Sequence, residues 1–367
     1  MTKNMLLVLL LNSFCLAQAL PVPQVEFSPK KYVCYKTEAP LVIDGNMDES
    51  AWGKTVWTDD FIDIEGEVKP HPRFNTRVKM LWDEKYFYIA AEMQEPDIWA
   101  YQQNRDDVIF FDNDFEVFID PDGDTHRYAE FEMNAINTVW DLLLVQPYRD
   151  IDKAAVNGWD IKGLKTAVIV DGSVNNPAEK DNKWTAEIAF PWEAFKEITA
   201  VPCPPKNFNQ WRVNFSRVEW KTEVKDGKYV KQKNPETGKQ YPEDNWVWSP
   251  QGVINMHYPE MWGYVQFVDE TGGGKDVPFA ENKDEAAKWL LRRIYYAQKN
   301  YFDANGSYVN DLSKLNINVQ QSLPGFILPP AIECSASLFE ARIQSEDKSA
   351  TYHIRQDGLT WTAPIKK

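Results

Sequence analysis

Carboxylates dominate the residues of this chain whose type and spacing suit chemistry. In Asp114–Ile119, Phe115, Val117 and Ile119 alternate, so Glu116 points to the opposite face of a strand. In Arg127–Asn134, Ala129, Phe131 and Met133 mark an apolar face, leaving Tyr128, Glu130, Glu132 and Asn134 together on the other. If these strands are neighbours, one sheet face is acidic and carries an aromatic ring. It is then either a solvated surface or a face that grips hydroxyl groups through charge-assisted hydrogen bonds. In Gln210–Trp220, Val213 and Phe215 set an apolar parity that Arg217 and Glu219 continue with charges. Buried unpaired charge is costly, so that end opens onto a cleft or holds an Arg–Glu ion pair. His257 and Trp262 are candidates for the same rim, and Trp262 also suits a core.

Asp120, Asp122 and Asp124 lie in the oxygen-rich run Asp120-Pro121-Asp122-Gly123-Asp124. Such oxygens suit Ca²⁺, the one cofactor candidate, although Asp-Pro-Asp-Gly is also a plain turn signal. Glu116 and Glu132 are a candidate glycosidase pair, of little specificity in so acidic a chain. No Gly-x-Ser-x-Gly, His-Glu-x-x-His or phosphate loop occurs, and the four histidines are scattered. Met80, Met133, His126 and His257 are the candidate axial ligands of a haem, with Met80 and Met133 on core parity.

The elements that must position these residues are read from a chain of 367 residues with net charge −15, which argues against a nucleic-acid partner. No late apolar run is long enough to span a bilayer. Lys3, the apolar run from Met5 to Leu11 and Ala17-Gln18-Ala19 read as a signal peptide over 1–19, implying a secreted or periplasmic protein. Three cysteines follow it, Cys34, Cys203 and Cys334, which allow one disulfide and a free thiol or three buried thiols. The fifteen tryptophans exceed what is usual; core packing accounts for most, and stacking on sugar rings is another use.

Gly272-Gly273-Gly274 breaks the chain. Nearly all net acidity lies before it. Residues 20–271 are expected to form a mainly β domain, an antiparallel β-sandwich. Its clearest hairpin pairs Thr76–Trp82 with Tyr86–Met93. Other alternating runs are Asp114–Ile119, Arg127–Met133, Thr138–Val145, Leu164–Val170, Lys183–Phe190, Gln210–Trp220 and Trp262–Val268. Residues 275–367 are expected to form a small α+β domain. A helix is predicted over Asn282–Asp303, stopped by Asn305-Gly306, with a small sheet around Leu338–Ile343 and Ala350–Ile354.

These runs carry a resemblance. Leu41-Val42-Ile43-Asp44-Gly45 with Ala51-Trp52, the hairpin Val78–Asp83 with Tyr86-Phe87-Tyr88, and Asn113–Asp120 resemble family 9 carbohydrate-binding modules. Phe131, Asn134, Trp140, Asp141, Trp184–Phe190 and Trp248-Ser249-Pro250 extend the match to about residues 38–268. The resemblance implies a β-sandwich, within a wider group that includes haem-binding domains, and a noncatalytic module that binds polysaccharide or oligosaccharide. It puts Phe110 at a sandwiching aromatic, Glu116 and Glu219 at binding carboxylates, and His257 near a second aromatic. Glu132 stands where the family uses Arg. Glycan-degrading enzymes are the implied partners. A haem-binding electron-transfer domain and a glycoside hydrolase are the alternative readings. Ile294–Gln298, Tyr301 and Asn305–Tyr308 resemble the post-helix region of pilin-like proteins.

Overall fold

The computed structural model describes residues 19–273, 276–317, 319 and 322–365. The signal peptide read over 1–19 therefore lies outside the described residues except for Ala19. The predicted alternation becomes a β-sandwich. One layer contains Tyr128–Asn134, Asp114–Asp120, Gln210–Glu219 and Gly263–Thr271 as neighbours, with Val139–Leu144 beside Tyr128–Asn134. The other contains Thr76–Trp82, Tyr86–Gln94, Lys183–Pro191 and Lys165–Asp171. Lys31–Lys36 is the seam. It runs parallel to Gly263–Thr271 and, over two residues, parallel to Thr76–Trp82. The remaining named pairings are antiparallel.

The inward parity read from the sequence holds. Val78, Met80, Trp82, Phe87 and Ile89 from one layer pack with Phe115, Val117, Phe131, Val213 and Phe215 from the other in one buried cluster. Each such side chain contributes roughly 1.5–3 kcal/mol on burial. The hairpin turn is fixed by Asp83, whose Oδ1 accepts from the backbone N–H of Lys85 at 2.7 Å and Tyr86 at 2.8 Å.

The outward faces are less solvated than alternation alone suggests. Trp52, held by Glu187 Oε1 at 2.8 Å, packs with Leu81, Tyr88, Ala90 and Ala189 over one layer. On the other, Tyr128, Leu142 and Leu144 pack beneath Val247, Met256 and Trp262. Trp262 is thus core, its indole N–H donating to the Met256 carbonyl at 2.9 Å.

The tail forms a helix, Glu285–Asn305, closed by Gly306 at φ 71°. The predicted N-terminus at Asn282 is three residues early, because Asn282 Oδ1 instead accepts from Asp284 N–H in a turn. The helix packs on a four-stranded antiparallel sheet of Phe326–Cys334, Phe339–Ser345, Ala350–Arg355 and Thr360–Pro364. The first of these strands was hidden in the sequence by Pro329-Pro330. It lies at the sheet edge, and its register shifts between Ile327 and Ala331, where missing N–H groups are tolerated.

The tail and the sandwich share buried contacts. Leu20, Val22, Val25 and Phe27 pack against the tail's cluster, as do Val253, Tyr258 and Met261 within it. Arg149, 4% exposed, pairs with Glu260 at 2.9 Å, and Tyr296 of the helix donates to the same carboxylate. The three cysteines match neither expected arrangement. All are free; Cys34 is buried, Cys203 half-buried and Cys334 exposed.

Candidate functional site

Strand pairing places Glu116 directly across from Glu132, and Phe118 across from Glu130. One strand further, Trp140 stands opposite Glu132. Together these form the floor of a cleft of about 420 Å³ on the outer face of the sandwich. Phe110, Tyr148, Ile254 and His257 line its walls, and Glu243 and Asn245 lie on another side. Tyr148 and Ile254 are 45% and 64% exposed, so apolar surface is presented at the mouth.

Phe110 and His257 are each held in the wall by local contacts. Phe110 lies in a single 3-10 turn, Ile109–Phe111. Its N–H donates to Glu132 Oε2 at 3.1 Å, and its carbonyl accepts from the Trp220 indole at 2.9 Å. The His257 ring meets the Tyr128 hydroxyl at 2.9 Å and takes Tyr148 edge-on at 4.6 Å between centroids. Burial and the nearby Arg149 guanidinium hold the His257 imidazole down at about 3, so it is neutral across the physiological range.

The floor is electrostatically unusual. Burial pushes Glu116 up to about 7. Burial, reinforced by repulsion from Glu116, pushes Glu130, Glu132 and Asp114 well above the ordinary carboxylate range. Glu116 Oε2 and Asp114 Oδ2 are buried without a hydrogen-bond partner. Oxygens of Asp114, Glu116 and Glu132 lie within 4.8 Å of one another.

Of the residues singled out from sequence, Phe110, Glu116, Glu132 and His257 are brought together here. Asn134 is not among the lining residues. It is buried, donates to the Gln102 carbonyl at 2.9 Å and accepts from Thr138 N–H at 3.0 Å, tying two loops. Arg217 and Glu219 also lie apart, because their parity points between the layers. Arg217 donates to Glu95 at 2.7 Å, Glu219 at 3.0 Å and Thr76 Oγ1 at 3.0 Å, and its guanidinium lies 5.4 Å from the Trp246 ring. Of the two arrangements open for that strand end, the buried ion pair is the one present.

Asp120, Asp122 and Asp124 also bring carboxylate oxygens within 4.8 Å. Asp120 nevertheless accepts from Gly123 and Thr125 N–H, each at 2.9 Å, as a turn residue does. Met80 and Met133 are wholly buried in the inter-layer core, so they do not fit a haem. Glu130, Trp140, Tyr148 and Ile254 were missing from the candidate set. Parity identified the face of Glu130, but Trp140 shares its parity with Leu142 and Leu144 and alternation alone would have turned it inward. Tyr148 and Ile254 come from loops with no periodic signal.

The comparisons with known proteins bear on this geometry. Residues 43–207 match the family described as carbohydrate family 9 binding domain-like. That region is similar to family 9 carbohydrate-binding domains. It contributes Phe110, Glu116, Glu130, Glu132, Trp140 and Tyr148 to the cleft, while His257 comes from beyond the match. Among solved structures, the chain is similar to a Bacteroides uniformis protein described as carbohydrate-binding, at 15% identity and TM-score 0.48, over 65% of this chain and all of that one. It is also similar to a carbohydrate binding module family 9 from Caldicellulosiruptor kristjanssonii. The complex with cellotriose shares 14% identity and TM-score 0.41 over 69% of this chain, and the glucose complex 14% and 0.40 over 67%, each covering all of that chain. No curated protein matches the sequence. The family 9-like match ends at residue 207, and nothing found supports the pilin-like resemblance of the tail.

Proposed function

We propose that this protein binds a polysaccharide or oligosaccharide in the Glu116–Glu132 cleft, without cleaving it, as an exported accessory to glycan breakdown. The observation that carries the reading is a carboxylate floor beneath aromatic walls within a family 9-like domain. Sugars present C–H faces that stack on rings and hydroxyls that donate to carboxylates. Phe110 and Trp140 supply the rings, and Glu116 and Glu132 accept the hydroxyl protons. A noncatalytic role is supported by the match of residues 43–207 to a carbohydrate-binding domain family.

A glycan array probed with the mature protein, followed by calorimetry on the ligands retained, tests this. Binding is expected, with no release of reducing sugar. Retention of no glycan sinks the reading. So does a ligand whose affinity is unchanged in Glu116→Ala. Export rests on the charged and apolar pattern from Lys3 to Ala19 and is tested by sequencing the N-terminus of the protein recovered outside the cytoplasm. A Ca²⁺ at Asp120, Asp122 and Asp124 is supported only by their oxygen spacing. An unchanged melting temperature after EDTA treatment of calcium-loaded protein removes it.

A further inference from the structure

The charge of the cleft narrows the ligand class. Four glutamates and neither a lysine nor an arginine are among its described lining residues. Of the cations nearby, Lys231 sits 3.3 Å over the Trp220 ring beside Asp112, Glu243 and Asp114, and Arg149 binds Glu260 and the His257 carbonyl, so neither is paired with Glu116, Glu130 or Glu132. A carboxylate only accepts hydrogen bonds, so three crowded together need several donors and positive charge to remain ionised. Glu116 is nine-tenths buried, lines the cleft and leaves Oε2 without a partner.

We propose that the group seated over Glu116, Glu130 and Glu132 is a protonated amine, making the ligand an amino sugar with a free amine, or its oligomer. This rests on the saccharide-binding reading above and goes further in naming the charge. An ammonium offers three donors and a positive charge to a floor that has no paired cation and, at Glu132, the Phe110 N–H as donor. Phe110, Trp140 and Tyr148 supply ring surface for the sugar's C–H face and for cation–π contact. Burial raises all three carboxyls, with repulsion from Glu116 adding at Glu130 and Glu132 and repulsion from Glu243 adding at Glu116, a cost that a bound cation relieves. A bare Ca²⁺ is served less well, since it takes about 6–8 oxygen ligands and half of this wall is apolar or aromatic.

The test compares three β-1,4-linked tetramers that differ only at one ring substituent: those of glucosamine, N-acetylglucosamine and glucose. Calorimetry on the full mature chain at about pH 6, where the amine is charged and its binding draws protons off the raised carboxyls, is expected to show the glucosamine tetramer binding about tenfold tighter than either other. Added salt should weaken that tetramer selectively. Glu130→Gln, which keeps the side-chain shape, should reduce the preference to about threefold or less, with a melt confirming the fold. Ligand-observed NMR with free glucosamine and glucose repeats the comparison without a linkage. If the glucose or acetylated tetramer binds as tightly, the charge proposal falls and saccharide binding stands. If no saccharide binds, both fall. If only Ca²⁺ binds, and Glu116→Gln abolishes it, the floor is a metal site and the amine proposal is overturned.

Discussion

Glu116 and Glu132 face each other across adjacent antiparallel strands, 5% and 1% exposed, with no cation between them among the described residues. Like charges directly opposite one another destabilise a sheet, and burial adds a desolvation penalty. The arrangement costs folding free energy and holds the carboxyls back from ionising until a cation or hydrogen-bond donor arrives, which is the physical basis of the ligand reading.

The first prediction follows from that cost. Glu116 is held near 7 by burial, above an ordinary value of 4.5. A carboxyl raised in the folded state binds its proton more tightly there, so its contribution to stability falls as pH rises from about 4.5 through about 7. Glu116→Gln should therefore match the parent near pH 4 and exceed it by on the order of 1–3 kcal/mol at pH 8. Urea unfolding at the two pH values measures this. A variant no more stable at pH 8 rules out the cost assigned to Glu116.

Phe110 should act on binding more than on folding. Its ring is half-buried at the cleft wall, and its backbone makes the contacts that set the turn. Phe110→Ala should weaken a bound saccharide roughly tenfold, the effect of losing one stacking platform of about 0.5–1.5 kcal/mol. Val117→Ala, one residue from Glu116 but facing the core, should instead lower stability by about 2 kcal/mol and leave affinity intact. Calorimetry and chemical unfolding of both variants separate the roles. The reverse pattern would place the cleft wall elsewhere.

Arg217 should behave as a structural cation. It is fully buried between Glu95 and Glu219. Arg217→Met leaves Glu95 without its counter-charge and Glu219 with only Arg73 at 3.8 Å, and should cost about 3–5 kcal/mol. Denaturant midpoints read this directly. A loss under about 1 kcal/mol would mean that water or rearrangement compensates the pair.

The tail should come loose in acid. Burial pushes the Glu260 carboxyl up, but Arg149 and Arg292 pull it further down, to about 2. A lowered carboxyl stabilises the fold fully above its unfolded value near 4.5 and loses that contribution as pH falls through about 2. The contribution is about 3 kcal/mol. Protease susceptibility of the Glu285–Asn305 helix, followed downward from pH 6, should rise below pH 4.5. In Glu260→Gln this acid dependence should largely vanish. An unaltered profile in the variant would assign the acid response to another group.

Period-two alternation identified most of the sandwich strands, though not the seam Lys31–Lys36, since burial on one face imposes that period and a one-residue slip would expose Val117 and Phe131 together. The same parity put Glu116, Glu130 and Glu132 on one face. It could not tell whether that face was wet, because the covering residues Tyr148, Ile254 and His257 arrive from loops far away in sequence. Arg217 shows the converse limit. Alternation gave its direction correctly, but its partner Glu95 lies 122 residues away, so only the fold distinguished a buried pair from a cleft.

Local pattern thus determined which residues share a strand face, where the helix ends at Gly306, and the acidic character of the Glu116 face. Tertiary structure decided which strands became neighbours, that the acidic face lies at the bottom of a cleft, and that the tail docks through Tyr296 and Arg292 onto Glu260. The reason is range. Side-chain direction follows from backbone geometry within a few residues, whereas burial, charge compensation and concavity are properties of surfaces assembled from segments more than a hundred residues apart.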